Sequence, residues 1–193
     1  MTKPELRRIF LNRQRGLDAE DAERRSQAVA RLFFDTFGFS LRRIRTVHCF
    51  LPIIKNREIN TWSVIERLQN GFPHLGIAVP KTDPLTNTMT SHLLNPGTVL
   101  AENRWGVPEP QNGEPIAPAA MDCVLVPLLA YDAFGYRVGY GKGFYDRFLA
   151  QCRTDVMKIG LSYFDPVAEI AGVDGFDMVM DACVTPGKVW KFI

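Results

Sequence analysis

The sequence predicts an α/β protein with a partly parallel sheet, and three observations carry that prediction. Between residues 46 and 79 a β-rich run, an amphipathic run and a second β-rich run follow one another, the order of a βαβ unit. Met121-Asp122-Cys123-Val124-Leu125-Val126 is the strongest buried-strand signal in the chain. A glycine-rich loop then separates that strand from a helix, and further apolar strand runs follow.

Each element has a local reason. Residues 3–15 and 19–37 read as helices, with apolar residues recurring at Leu6, Ile9 and Phe10 in the first, and at Ala22, Ala28, Val29, Leu32, Phe33 and Phe37 in the second. Asp18 is the expected N-cap of the second helix and Gly38 its expected stop. Thr46–Leu51 reads as a buried strand ending at Pro52. A helix is expected over about 61–70, capped by Asn60 or Thr61 and closed by Gly71. The strand Leu75–Val79 is expected to stop at Pro80. Segments 88–94 and 98–101 suit a hairpin across Asn95-Pro96-Gly97, and proline-rich residues 102–119 an irregular excursion. Asp132-Ala133-Phe134-Gly135 reads as a turn, residues 144–152 as a helix, and 157–161 and 178–184 as the last strands. The chain shows no internal repeat, low-complexity tract or linker, so one domain over 1–193 is expected.

Composition narrows the class. Of 193 residues, 46% are apolar and 23% charged, which suits a globular chain and excludes a disordered or fibrous one. No apolar run approaches the ~18–20 residues that cross a bilayer, and Met1–Arg8 lacks the apolar core of a secretory signal. Cys49, Cys123, Cys152 and Cys183 are scattered, without the clustering of a zinc site. Reduced structural thiols in a cytoplasmic protein, with no membrane partner, are therefore expected. The net charge of +2 hides a gradient, since residues 1–45 carry eleven basic and six acidic side chains, net +5. Such a segment meets phosphates on a ligand or forms a solvated helix face. Aromatics are not interleaved with these charges as single-strand binders require, so no nucleic-acid partner is expected.

The most informative stretch is Gly135 to Arg147. Gly139, Gly141 and Gly143 free the backbone for close approach to a ligand, and Arg137 and Lys142 supply counter-charge for phosphate. The same glycines would also serve a plain tight turn. The run departs from both G-x-x-x-x-G-K-[ST] and G-x-G-x-x-G. Asp146, in the first turn of the following helix, either complements the helix dipole or holds Mg²⁺ beside a polyphosphate, with Asp177 or Asp181 as a second carboxylate. Lys3 and Arg7 share one helical face and form a second candidate phosphate element. Glu58 follows a strand end, where α/β proteins place ligands, and Trp105 offers a flat stacking surface or an anchor for the proline loop. His48, His74 and His92 are isolated, so no nucleophilic or zinc site is expected, and His48 reads as a core residue.

These segments together resemble the 5-formyltetrahydrofolate cyclo-ligase family. The resemblance runs almost end to end, through Lys3…Arg7, Phe50-Leu51-Pro52 with Glu58-Ile59-Asn60-Thr61, Val79-Pro80-Lys81, Asn103 to Pro110, and above all Gly139-Tyr140-Gly141-Lys142-Gly143-Phe144-Tyr145-Asp146. Phe144 stands where many members have Tyr, Phe176 where His is common and Pro186 where Glu is common.

The resemblance implies a three-layer α/β/α fold like that of the sugar-phosphate isomerase and CoA-transferase group. It also implies ATP- and Mg²⁺-dependent conversion of 5-formyltetrahydrofolate to 5,10-methenyltetrahydrofolate by a monomer. ATP would be held by Lys3, Arg7, Arg137, Val138, Gly139, Tyr140, Gly141, Lys142, Gly143, Phe144 and Tyr145. The folate would lie against Phe50, Glu58, Trp105, Tyr140, Phe144 and Tyr145. Lys142, Arg137 and Glu58 would act in catalysis, with Asp146 and Asp181 as metal ligands. Such chemistry rests on positioning and charge neutralisation, which suits a chain without a catalytic triad. A non-enzymatic nucleotide- or RNA-binding module and a sugar-phosphate isomerase remain as alternatives, because fold does not fix function.

Overall fold

A computed structural model describes residues 1–192, so the last residue of the expected domain, Ile193, lies outside the described residues. Helix α1 (Lys3–Arg15) opens with Thr2 and Glu5 bonded to one another, the Thr2 amide donating to Glu5 Oε2 at 2.9 Å. Helix α2 (Ala19–Leu41) starts where expected, with the Asp18 carboxylate accepting from the Asp21 amide at 2.7 Å. It does not stop at Gly38. The buried row Phe33, Phe34 and Leu41 carries the helix past a glycine whose Cβ position faces open space.

Strand β1 (Thr46–His48), helix α3 (Trp62–Gly71) and strand β2 (Gly76–Asp83) form the expected parallel unit, with Val47 opposite Ile77. Two bounds differ. Gly71 is the last residue of α3 rather than its stop, and β2 continues through Pro80 to Asp83. Ladder bonds alternate sides, with Ala78 O accepting from Cys49 and Ile77 O from Leu94. The missing N–H of Pro80 therefore points toward the β1 side, beyond the end of that short strand, where no ladder bond is lost.

The hairpin across Asn95-Pro96-Gly97 is not formed. Strand β3 (Thr88–Leu93) turns back on β2, with Asn87 taking a left-handed φ of 54° in the turn. Strand β4 (Leu100–Glu102) pairs with β5 (Pro108–Pro110), and β6 (Pro115–Ile116) adds to β3, so the proline-rich excursion is partly ordered. Strand β7 (Cys123–Pro127) fulfils the buried-strand reading. Strands β8 (Ala130–Tyr131) and β9 (Arg137–Val138) flank the expected turn, where the Asp132 carboxylate accepts from the Phe134 and Tyr136 amides. Helix α4 (Phe144–Leu149) is shorter than the expected 144–152. Strands β10 (Met157–Leu161), β11 (Ala182–Val184) and β12 (Val189–Lys191) complete the chain; β11 is shorter than expected and β12 was not expected.

The main sheet runs β12-β11-β10-β7-β1-β2-β3-β6, parallel from β11 to β2 and antiparallel at both edges. Alternation along β7 divides the core into two layers. Cys123 and Leu125 pack toward α1, α2 and α3, while Val124 and Val126 pack with Phe148 and Leu149 of α4. Helices thus cover both faces, as a sheet of buried parallel strands demands. Gly160 in β10 permits this closeness: a Cβ there would fall 2.6 Å from side-chain atoms of both Leu128 and Met180.

Candidate active site

A cavity of about 560 Å³ opens past the carboxyl ends of the parallel strands, bordered by Phe50 and Leu51 after β1 and by Pro127 at the end of β7. That volume suits a small-molecule site. Every expected ATP- and folate-contacting residue lines it: Lys3, Arg7, Phe50, Glu58, Trp105 and the whole run Arg137–Tyr145. Asp146 lines it too.

One end is basic and built from backbone. Gly141 has φ +86°, and a Cβ there would sit 2.9 Å from the Arg7 guanidinium carbon. The conformation thus favours glycine, and a side chain there would also have to displace the tip of the helix α1 arginine laid against the loop. Arg7 Nε donates to Gly139 O at 2.9 Å, and Lys3 Nζ meets Asp177 Oδ2 at 2.5 Å. Arg137, only 5% exposed in its side chain, donates to Asp146 Oδ1 and to Met178 O, each at 2.7 Å. Lys142 is exposed and, among the described residues, its ammonium has no hydrogen-bond partner. Arg147 bonds the carbonyls of Lys142 and Asn87 and so braces the loop. Because α4 has only six residues, the loop amides and these cations, rather than a long helix dipole, make this end attractive to phosphate.

The other end is aromatic and holds one carboxylate. Glu58 Oε1 accepts from the Tyr140 hydroxyl at 2.5 Å, and Oε2 from the Ile53 amide at 2.6 Å. Desolvation outweighs both bonds and pushes the Glu58 pKa up to about 7. Burial and the neighbouring Glu58 push Tyr140 upward as well, so its hydroxyl stays a donor. Phe50 and Trp105 supply the walls, and Trp105 meets Phe144 edge-on at 6.3 Å between ring centres. His48 is the satisfied core residue the sequence indicated: its ring nitrogens lie 2.9 Å from Ser91 Oγ and 3.2 Å from the Tyr145 hydroxyl. Burial lowers its pKa to about 3.

Asp181 is the expected site residue that the structure does not bring to the cavity. It precedes β11, where its carboxylate accepts from the Lys158 amide at 2.7 Å and pairs with Lys158 Nζ at 3.1 Å. Asp177 lines the cavity instead, in the segment whose Met178 amide donates to Asp146 Oδ1. Among the described residues, Asp146 Oδ2 and Asp177 Oδ1 have no hydrogen-bond partner. Two such oxygens suit Mg²⁺, which takes one or two carboxylates and completes its shell with phosphate and water. The described residues hold no cluster of three or more His, Cys, Asp or Glu. Sequence reasoning missed Thr82, Met89, Pro127 and Val107 in the lining, because nothing local marks which residues of distant strands share a cavity.

Residues 1–186 match the sequence profile of the 5-formyltetrahydrofolate cyclo-ligase family. The chain belongs to that family. It is 29% identical over 150 residues to the 5-formyltetrahydrofolate cyclo-ligase of Escherichia coli strain K12, a match covering 76% of this chain and 81% of that enzyme. The Aquifex aeolicus 5,10-methenyltetrahydrofolate synthetase structure superposes with a TM-score of 0.79 at 28% identity, covering 100% of this chain and 93% of that one. A Mycoplasma pneumoniae synthetase, with TM-score 0.74 and 22% identity over 96% of this chain and 99% of that one, shares the fold. The enzyme is thus a folate ligase that converts 5-formyltetrahydrofolate to 5,10-methenyltetrahydrofolate with ATP as co-substrate.

Proposed function

We propose that ring closure proceeds by transfer of the ATP γ-phosphoryl group to the formyl oxygen, attack of N10 on the activated carbon, and departure of inorganic phosphate. The observation that carries this reading is the single cavity with a basic glycine loop at one end and Glu58 among aromatic walls at the other. A formamide oxygen is a poor leaving group, and phosphorylation makes it a good one. Gly139, Gly141 and Gly143 let loop amides approach the polyphosphate, with Lys3, Arg7 and Arg137 as counter-charges. Lys142, with its ammonium free, is the cation for the transferring phosphoryl group. The Glu58 carboxylate accepts N–H groups of the pterin, and its pKa near 7 leaves it able to exchange a proton there.

Asp146 and Asp177 are the residues that would hold Mg²⁺, with Asp177 replacing the expected Asp181. The ion would neutralise polyphosphate charge when bound. A monomer is the proposed working unit, in a single domain built on one main sheet. Four free thiols support a cytoplasmic setting.

The reaction reading is tested with substrate carrying oxygen-18 in the formyl group. Labelled inorganic phosphate, formed one for one with ADP, is the expected product. Unlabelled phosphate would mean that water takes the phosphoryl group, and the transfer step would be wrong.

A further inference from the structure

A buried carboxylate in the neighbouring β4–β5 hairpin has no part in the chemistry above. Glu109, 6% exposed, accepts at Oε1 from the Thr82 amide at 2.9 Å, the Thr82 hydroxyl at 2.5 Å and Asn103 Nδ2 at 2.9 Å. On its other side Asn103 Oδ1 accepts from the Trp105 amide at 2.9 Å and the Val107 amide at 3.1 Å. Two backbone donors fix which way the Asn103 amide points, so its NH₂ must face an acceptor, and Glu109 is that acceptor. The turn between them is otherwise held by the Asn103 amide on Val107 O and the Gly106 amide on Asn103 O, each at 2.9 Å. Gly106 has φ +77°. Thr82, Trp105 and Val107 all line the cavity, whereas Asn103 and Glu109 stand behind it.

We propose that Glu109 is a positioning residue that, through Asn103, fixes the Trp105 turn and thereby sets folate affinity. The inference rests on the reading that Trp105 forms the folate-side wall. A carboxylate suits the task because one oxygen must serve three donors, and the negative charge strengthens each bond. The clamp also ties β2, through Thr82, to the β4–β5 hairpin, so the wall is anchored to the central sheet rather than to its own loop. Trp105 in turn borders Phe144 of the glycine-loop segment, which places the fixed ring between the two halves of the site.

The test compares Glu109→Ala, Glu109→Gln and Asn103→Asp in the full-length enzyme. Gln keeps an acceptor at Oε1. Asp keeps Oδ1 for the turn amides but removes the donor and sets two carboxylates face to face. Fluorine NMR of protein labelled with 5-fluorotryptophan reports on Trp105 without ligand, its signal among the three tryptophans assigned by Trp105→Phe. Glu109→Ala and Asn103→Asp should broaden or shift the Trp105 signal and raise the folate KM about ten-fold, with ATP KM and kcat changed less than three-fold. Glu109→Gln should recover most of both. If Glu109→Ala does not fold, Asn103→Asp and Glu109→Gln carry the comparison. A Trp105 signal unchanged in Asn103→Asp would overturn the clamp itself. A loosened Trp105 with unchanged folate KM would instead overturn the folate-side reading of that wall. Equal losses in folate KM, ATP KM and kcat would reduce Glu109 to general structural support and overturn its positioning role.

Discussion

Replacing Glu58 by Gln should make the ligand-free enzyme more stable while weakening its grip on folate. The carboxyl titrates near 7 in the folded protein against an ordinary value of 4.5. Between those values the native state keeps a proton that the unfolded chain gives up, so stability falls as pH rises from 4.5 to 7. At ~1.36 kcal/mol per pH unit the full penalty at pH 8 is about 3 kcal/mol. Partial exposure to the cavity reduces the realised figure to about 1–2 kcal/mol. Gln preserves an acceptor for the Ile53 amide and a polar partner for the Tyr140 hydroxyl without the charge. For a chain of this size each kcal/mol moves Tm by ~2–4 °C, so Glu58→Gln should melt about 2–8 °C higher at pH 8. The gain should shrink to about a quarter of that near pH 5 and vanish below 4.5, where both the folded and the unfolded carboxyl are protonated. Losing a charged hydrogen bond to the pterin should cost ~1.5–3 kcal/mol, about ten- to a hundred-fold in folate affinity. Calorimetric melts at pH 5 and pH 8, with folate titrations on the same samples, measure both. A variant that melts lower than its parent at pH 8 would refute the claim that the fold holds this carboxylate against its desolvation.

Folate KM should rise as pH falls below 7, approaching ten-fold per unit as Glu58 takes up its proton, and Glu58→Gln should flatten that profile in initial-rate measurements. Asp146→Asn keeps acceptors for Arg137 and the Met178 amide but removes the countercharge of a buried guanidinium, so it should cost ~1–3 kcal/mol in urea unfolding. It should also lose at least a hundred-fold in turnover at limiting Mg²⁺, and near-normal turnover there would remove Asp146 from the metal site. Gly141→Ala must adopt φ +86° and displace Arg7, so ATP KM should rise ten-fold or more while folate KM stays within two-fold.

What the sequence revealed was mostly what is local. Apolar periodicity and the Asp18 cap placed α1, α2 and α3, an unbroken apolar run placed β7, and a mostly apolar run interrupted by Lys158 placed β10. Errors arose where a local signal met a tertiary one. Gly38 and Pro80 are breakers on propensity alone, yet a buried helical stripe and the end of a neighbouring strand leave them harmless. Asn95-Pro96-Gly97 has turn chemistry, but β3 already has partners in β2 and β6, so β4 pairs onward with β5. At the site, the glycine loop with its embedded cations is a contiguous signal and was legible residue by residue. The choice between Asp177 and Asp181 was not, because four positions of sequence separate a carboxylate facing Lys3 from one facing Lys158.

The salt bridge between Lys3 and Asp177 joins residues 174 apart, and Arg7 reaches across 132 positions to Gly139. The first helix therefore emerges from synthesis long before either of its partners exists. The basic end of the cavity is therefore completed in two steps, first by Arg7 on the loop and then by Lys3 on Asp177. A nascent chain that has reached Arg147 already carries Arg7 and the glycine loop together, but the Lys3–Asp177 closure waits until residue 177 is made. Contacts of such separation also slow the final docking step, because the chain must close its longest loops last. The Lys3–Asp177 closure is thereby among the last contacts the growing chain can make, and trimming either partner should open the basic end of the cavity while leaving the sheet folded.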